Sequence, residues 1–368
     1  MAERLAAGPS MIALVGDRGG PTLWRTLWPI SALKARGYPA DWDYAKTPAV
    51  RRWVEEHDGC LFARTSWPTW ARGTFRGFME EAHDAGRFVV LDYDDDLLTA
   101  GFVWRQIELG WTEGKTYEQL EQQRCERIWA LTQADGVTVS TEPLADVVRS
   151  FTSRPVVVVP NAIDVAWFRT ALGRARRQLR PPVIGWAGGR RPDDDLRAMA
   201  EGWRRTATRY QQVTFLVQGH VPAIITDAVP ADRLVTVPWL PLERYPEPLR
   251  DVDIACCAVA SDRFNACKTT IKAWEAAIAG CAVVATPFLY GDVIERGSSG
   301  LLAETADEWE AHLAVLVERP SYRALLAGRL KRTVEREHAL AVNVHRWPAA
   351  WSVIQDSARE RHARVIMA

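Results

Sequence analysis

The side chains best suited to chemistry lie close together, in the stretch FNACKTTIKAWEAAIAGCAVVAT over residues 264–286. Its pattern predicts a polar loop, an amphipathic helix stopped at Gly280, and a short apolar strand over 282–285. Lys268, Thr269 and Thr270 stand at the mouth of that helix, with Asn265 just ahead of them. A helix N-terminus presents unpaired backbone N–H groups and the positive end of the dipole, so it seats phosphate well. Lys268 adds a full charge, and the threonine hydroxyls either donate to the same anion or cap the helix. Lys272 follows one turn later. Glu275 either accepts hydrogen bonds from the hydroxyls of a sugar or pairs with Lys272 or Lys268 on the helix surface. A diphosphate at the helix mouth and a ribose on the carboxylate would together make a nucleotide-sugar site.

Three other clusters carry polar chemistry. Gly16, Gly19 and Gly20 follow an apolar run and permit close approach of a loop to a ligand. GDRGG is not the dinucleotide fingerprint, and no well-placed acidic partner follows a second strand, which argues against a nicotinamide cofactor. A second loop, Gly188-Gly189-Arg190-Arg191, also follows an apolar run, and Arg190 is preferred to Arg191, which precedes Pro192. The run Asp92-Tyr93-Asp94-Asp95-Asp96 closes an apolar strand. Crowded carboxylates raise one another's pKa and suit a general base, they also suit a capping turn, and hard cations favour such oxygens. His220 follows Gly219 at a strand end, near a ligand base or in a turn.

Short apolar runs alternate with longer amphipathic ones. Strands are expected over 11–15, 59–63, 87–91, 136–140 and 155–159, with helices over 22–36, 75–85, 117–133 and 142–150. Strands separated by helices of this length imply parallel βαβ units. The pattern restarts at 183–187, with a helix over 196–210 and strands over 213–217, 234–237, 254–259 and 282–285. The expectation is an α/β protein of two Rossmann-like domains, with the ligand cleft between the carboxyl ends of the two sheets. The domains are placed at 1–165 and 166–343. A helix over 344–368, with Trp347 and Trp351 on one face, packs back on the first domain.

The 368 residues suffice for two domains, and 48% of them are apolar, enough for a sizeable core. The formal net charge is zero, which argues against a protein that coats nucleic acid. Basic residues concentrate between Arg169 and Arg180, with Arg174, Arg176 and Arg177 inside the run: a solvated linker, or a contact for an anionic polymer or lipid. The cysteines, Cys60, Cys125, Cys256, Cys257, Cys267 and Cys281, form no C-x-x-C pair and read as reduced thiols, mostly in the core. No stretch has signal-peptide or membrane-span length, so a cytoplasmic location and no integral membrane segment are expected. Seventeen tryptophans are many. Trp24, Trp28, Trp67, Trp70, Trp104 and Trp111 lie in the first half, and an aromatic acceptor groove is one use for them.

Several stretches resemble retaining GT-B glycosyltransferases of the family 4, or group 1, type. Val159-Pro160-Asn161-Ala162-Ile163-Asp164 resembles the PNGID signature at their domain junction, with Ala162 in place of Gly. Ile184 to Arg190 resembles the opening strand and loop of their donor domain. Lys268-Thr269, Lys272, Glu275 and Gly280 to Ala285 resemble their Lys-Ser/Thr, Lys, Glu and GxPVVA elements, and residues 16–20 resemble their N-domain loop. Two departures stand out. Of the paired glutamates E-x7-E, Glu275 matches the second, while Cys267 takes the place of the first. The His found after the fourth N-domain strand is replaced, with Asp94 in its place.

The resemblance implies a GT-B fold, two Rossmann-like domains facing each other across a cleft. It also implies transfer of a hexose from a nucleotide-diphosphate sugar, UDP-sugar favoured, to an acceptor hydroxyl with retention. Arg190 and Lys268 would stabilise charge on the departing phosphate, Glu275 would hold the ribose, and Asp94 or Asp95 would orient the acceptor or act as base. Asp-x-Asp also marks metal-binding GT-A enzymes, but here it lies in the first domain while the donor-like motifs lie in the second. No obligatory metal or cofactor is expected, and the nucleotide sugar is a co-substrate. The acceptor is open: a glycan, a lipid-linked sugar, a protein, a small molecule or a modified DNA base. Two alternatives remain: a nucleotide-sugar epimerase of the same fold, and a non-catalytic sugar- or polymer-binding protein with a degenerate donor site.

Overall fold

A computed structural model of the protein describes residues 8–16, 19–44, 55–63, 75–173 and 181–367. Trp67, Trp70, Arg174, Arg176, Arg177 and Arg180 lie outside the described residues. The chain divides into two compact units. The first runs to Ala162 and adds Cys267–Thr269 and everything from Leu340 onward. The second comprises Ile163–Ala266 and Thr270–Ala339.

The first unit is built on a six-stranded sheet, β2-β1-β3-β4-β5-β6, with every pairing parallel. The strands are β1 Met11–Val15, β2 Ala40–Tyr44, β3 Gly59–Ala63, β4 Phe88–Tyr93, β5 Gly136–Val139 and β6 Val156–Val158. β1, β3, β4 and β5 are buried along their whole length, which is why they read as continuous apolar runs. β2, ADWDY, is polar and half-buried, and its composition hid it from the sequence reading. Strand order reverses at β1, so the Gly16–Gly20 loop leaves the sheet at a switch point. The helix that follows is not uniform: Gly20–Thr22 leads into a π-helical turn, Leu23–Leu27, before Trp28–Lys34. Gly20 is exposed, with nothing within 4 Å of the place a Cβ would occupy.

The terminal helix, Arg346–Met367, packs on β4 and β5. Trp347, Trp351, Ile354 and Ala358 form its buried stripe. Ile354 lies over Gly136, where an added Cβ would come within 2.6 Å of it.

The second sheet, β12-β11-β10-β7-β8-β9, is also parallel throughout. Its strands are β7 Val183–Gly188, β8 Thr214–Gly219, β9 Leu234–Val237, β10 Ile254–Cys257, β11 Ala282–Ala285 and β12 Leu301–Leu302. Trp203, Phe215 and Trp309 anchor its core. Order reverses between β7 and β10, so the loops after those two strands flank the switch point of this unit. No helix among the described residues is long and apolar enough to cross a membrane.

Candidate nucleotide-sugar site

In the second unit, the loop after β7 carries Gly188, Gly189, Arg190 and Arg191. Gly188 is buried against Trp186, whose ring lies 2.5 Å from where a Cβ would be, whereas Gly189 has open space. Arg190 is exposed and Arg191 is half-buried. Arg191 Nη1 pairs with Asp195 at 3.2 Å. The other Asp195 oxygen accepts from the Ala260 N–H at 2.9 Å and from Asn265 Nδ2 at 2.8 Å. Asp195 therefore ties the loop after β7 to the loop after β10. Asn265 is fully buried, and its Nδ2 also meets Ala260 O and an Asp262 oxygen. The structure gives Asn265 a loop-holding position, and Asp195 was missed because an acidic turn reads as solvated.

The helix predicted after Lys268 spans Ile271–Ala279 and ends at Gly280, whose φ of +87° suits the left-handed cap. It is not amphipathic, since Ala273 through Ile278 are all buried. Thr270 sits at its N-cap without a side-chain capping bond, so the capping reading of Thr270 does not hold. Glu275 is buried rather than on the helix surface. Its Oε2 accepts from Tyr245 Oη at 2.8 Å and from Lys272 Nζ at 3.1 Å. Both bonds fall on one oxygen, which leaves Oε1 to accept from another group. Lys272 Nζ also reaches Tyr245 Oη and lies 4.8 Å from the centre of its ring.

Burial opposes charge on Lys272, but Glu275 and Tyr245 outweigh it and hold the ammonium above the ordinary lysine range. Burial first, then the Glu275 carboxylate, pushes the Tyr245 phenol up. Lys272 is thus an ammonium and Tyr245 a neutral phenol at neutral pH, both bonded to Glu275. Lys272 and Glu275 line a cavity of about 20 Å³ with Trp186, Gln218 and Cys257. Tyr245 gave no signal in the sequence, because it comes from a 3₁₀-rich segment distant in the chain. His220 donates its backbone N–H to Gly188 O at 3.0 Å, which puts it in the turn beside that loop.

The first unit brings the remaining candidates together. Lys268 Nζ pairs with Asp95 Oδ1 at 3.3 Å. The Asp92–Asp96 run divides by role. Asp92 is buried against Arg25. Asp96 is buried and holds the turn ahead of the next helix, accepting from the N–H groups of Leu98 and Thr99 and from Thr99 Oγ1. Asp94 and Asp95 are half-buried, and Ser140 Oγ bonds the Asp94 carbonyl at 3.3 Å. Among the described residues no cluster of three or more His, Cys, Asp or Glu could hold a metal ion. The six cysteines are free, and all but Cys125 are buried. Trp24 and Trp28 are buried and stack edge to face at 4.6 Å, whereas Trp104 is exposed beside Tyr117.

Sequence reasoning missed Arg25. Its Nε and Nη2 hold both Asp92 oxygens at 3.0 and 2.6 Å, and its Nη1 reaches Val159 O at 2.5 Å and Asn161 Oδ1 at 3.0 Å. A signal was available: Arg25 is a lone charge in the apolar run LWRTLW, and Asp92 a lone charge in FVVLDY. Isolated opposite charges in two buried elements imply a pair.

Residues 181–319 match the family model of glycosyl transferases group 1. No curated protein matches the chain in sequence. Among solved structures the chain is similar to HepE of Anabaena, crystallised with UDP-glucose, at 14% identity, 93% of this chain, 98% of HepE and a TM-score of 0.62. It is similar to sucrose-phosphate synthase of Thermosynechococcus elongatus at 13% identity, 97% and 99% coverage and a TM-score of 0.60. It is also similar to TarM, at 12% identity, 80% of this chain and a TM-score of 0.56, and spans about half, 54%, of that protein. At these identities the likeness is one of fold. The paired parallel sheets match the GT-B fold of these structures, and the match to the glycosyl transferases group 1 model covers residues 181–319.

Proposed function

We propose that the protein transfers a hexose from a UDP-sugar to an acceptor hydroxyl with retention at the anomeric carbon. The observation that carries this reading is Glu275, a buried carboxylate inside the group 1 domain whose Oε2 is fully used and whose Oε1 remains to accept the ribose hydroxyls. UDP is favoured because HepE, the similar protein, was crystallised with UDP-glucose and with UDP. Lys268, Thr269 and Arg190 bind the diphosphate, with Gly188 and Gly189 beside Arg190 and Lys272 fixing Glu275. The bond between the anomeric carbon and the phosphate oxygen breaks, and a bond from that carbon to the acceptor oxygen forms. The acceptor proton passes to the departing phosphate or to Asp94 or Asp95, and UDP leaves. Cations at the phosphate act on charge that grows in the transition state, which raises the rate rather than only the affinity.

The test is UDP release from UDP-glucose and related sugars across an acceptor panel, with titration of UDP. Wild type should bind UDP. Glu275→Gln should lose about tenfold in UDP affinity, in line with a lost charge-assisted bond. Lys268→Ala should lower kcat more than it raises KM. A wild-type protein that binds no nucleotide, or a Glu275→Gln variant of normal affinity, would remove the donor assignment.

A further inference from the structure

Arg25, Asn161 and Thr269 form a chain of hydrogen bonds whose direction is fixed. Arg25 is 1% exposed and sits in the π-helical turn, a distortion that often marks a side chain with a particular task. It is held from several sides. Four of its hydrogen bonds are made to Asp92, Val159 and Asn161, and its guanidinium lies 4.6 Å from the centre of the Trp347 ring. Thr138 Oγ1 braces Asp92 from the other side at 2.6 Å. Asn161, 3% exposed, follows Pro160 and has little room to turn.

A guanidinium has only donors. The Asn161 amide must therefore point its oxygen at Arg25, at 3.0 Å, and its NH2 at Thr269 Oγ1, at 3.1 Å. The Thr269 oxygen accepts that bond, so its own hydrogen is turned away from Asn161. Thr269 is half-buried, and its hydroxyl hydrogen has no acceptor among the described residues. A hydroxyl that is free to rotate would present lone pairs as readily as its proton. Here the buried chain selects the proton.

We propose that Arg25 and Asn161 are positioning residues that set the Thr269 hydroxyl as a hydrogen-bond donor to an anion, the diphosphate of the donor sugar. The inference rests on the donor reading above. It adds two residues that touch no ligand and says what they contribute, which is the polarity of one hydroxyl. An acceptor-polarised Thr269 would repel the same anion.

The decisive substitution is Asn161→Asp. It keeps size and still accepts from Arg25, so the fold should be kept and the thermal midpoint should not fall. But it replaces the NH2 with an oxygen, and the Thr269 hydrogen turns inward. UDP affinity, measured by calorimetry, should drop roughly tenfold or more, as it should in Thr269→Val, while Thr269→Ser should bind as wild type does. The double variant Asn161→Asp/Thr269→Val should bind no worse than Thr269→Val, since both remove one interaction. Asn161→Ala, which frees the hydroxyl to rotate, should lie between wild type and Thr269→Val, and it serves as the test if Asn161→Asp does not fold. Unchanged UDP affinity in Asn161→Asp, or in Asn161→Ala, overturns the proposal while leaving the donor site standing. Additive losses in the double variant overturn it as well. A wild-type protein without affinity for UDP, GDP or ADP takes away the donor reading and this inference with it.

Discussion

Asp92→Asn should be among the most destabilising single changes in the first unit. Asp92 is 1% exposed and receives two bonds from Arg25 and one from Thr138. Asparagine keeps the volume, but its NH2 would face an N–H of Arg25, donor against donor. The guanidinium would then be buried with only neutral acceptors around it. Removing one partner of a buried pair costs about 3–5 kcal/mol. Two charge-assisted bonds at roughly 1.5–3 kcal/mol each give the same range. With a urea slope of about 3 kcal/mol per molar, the midpoint should fall by on the order of 1 M. Urea unfolding followed by tryptophan fluorescence reads this directly. A fall of less than about 0.3 M would refute the reasoning. A second variant sharpens it. Replacing a simple buried pair by apolar residues often restores stability. Here Arg25→Met/Asp92→Leu would strand the Val159 carbonyl, the Asn161 amide and the Thr138 hydroxyl, at about 1–3 kcal/mol each. The double variant should therefore be no more stable than Asp92→Asn.

Two further outcomes follow from the structure. Asp135 is buried, and although burial raises its pKa, the bonds from His83, the Val89 N–H and Arg361 hold it below the ordinary carboxylate value. A depressed folded-state pKa means that the unfolded chain binds the proton first, so this stability is present above about pH 4 and lost as pH falls through the folded value. Acid titrations of wild type and Asp135→Asn should therefore diverge above pH 4 and converge below it; parallel curves would count against the assignment. Gly280→Val should lower stability by more than about 1 kcal/mol, because a φ of +87° is strained for a β-branched residue. An unchanged melting temperature would contradict that.

Much of the fold was legible because parallel strands buried on both faces must be written as apolar runs. β1, β3, β4, β10 and β11 are such runs, and Gly280 announced its helix end. β2 escaped because ADWDY is only half-buried, and the two-residue β12 is too short to show periodicity. The candidate site residues were legible by type. Lysine, threonines and glutamate near a helix start restrict the chemistry to anions and hydroxyls, whatever surrounds them. Their partners were not legible. Tyr245 joins Lys272 and Glu275, Asp195 joins Asn265, Asp95 joins Lys268, and Arg25 reaches Thr269 through Asn161, each across a long interval of sequence. The sequence by itself determined which elements form and which groups can react, because burial and local spacing are written into composition and period. Only the tertiary structure decided which oxygen of Glu275 stays open and which way the Thr269 proton points, because a hydrogen bond depends on distance and direction between side chains that the chain order leaves far apart.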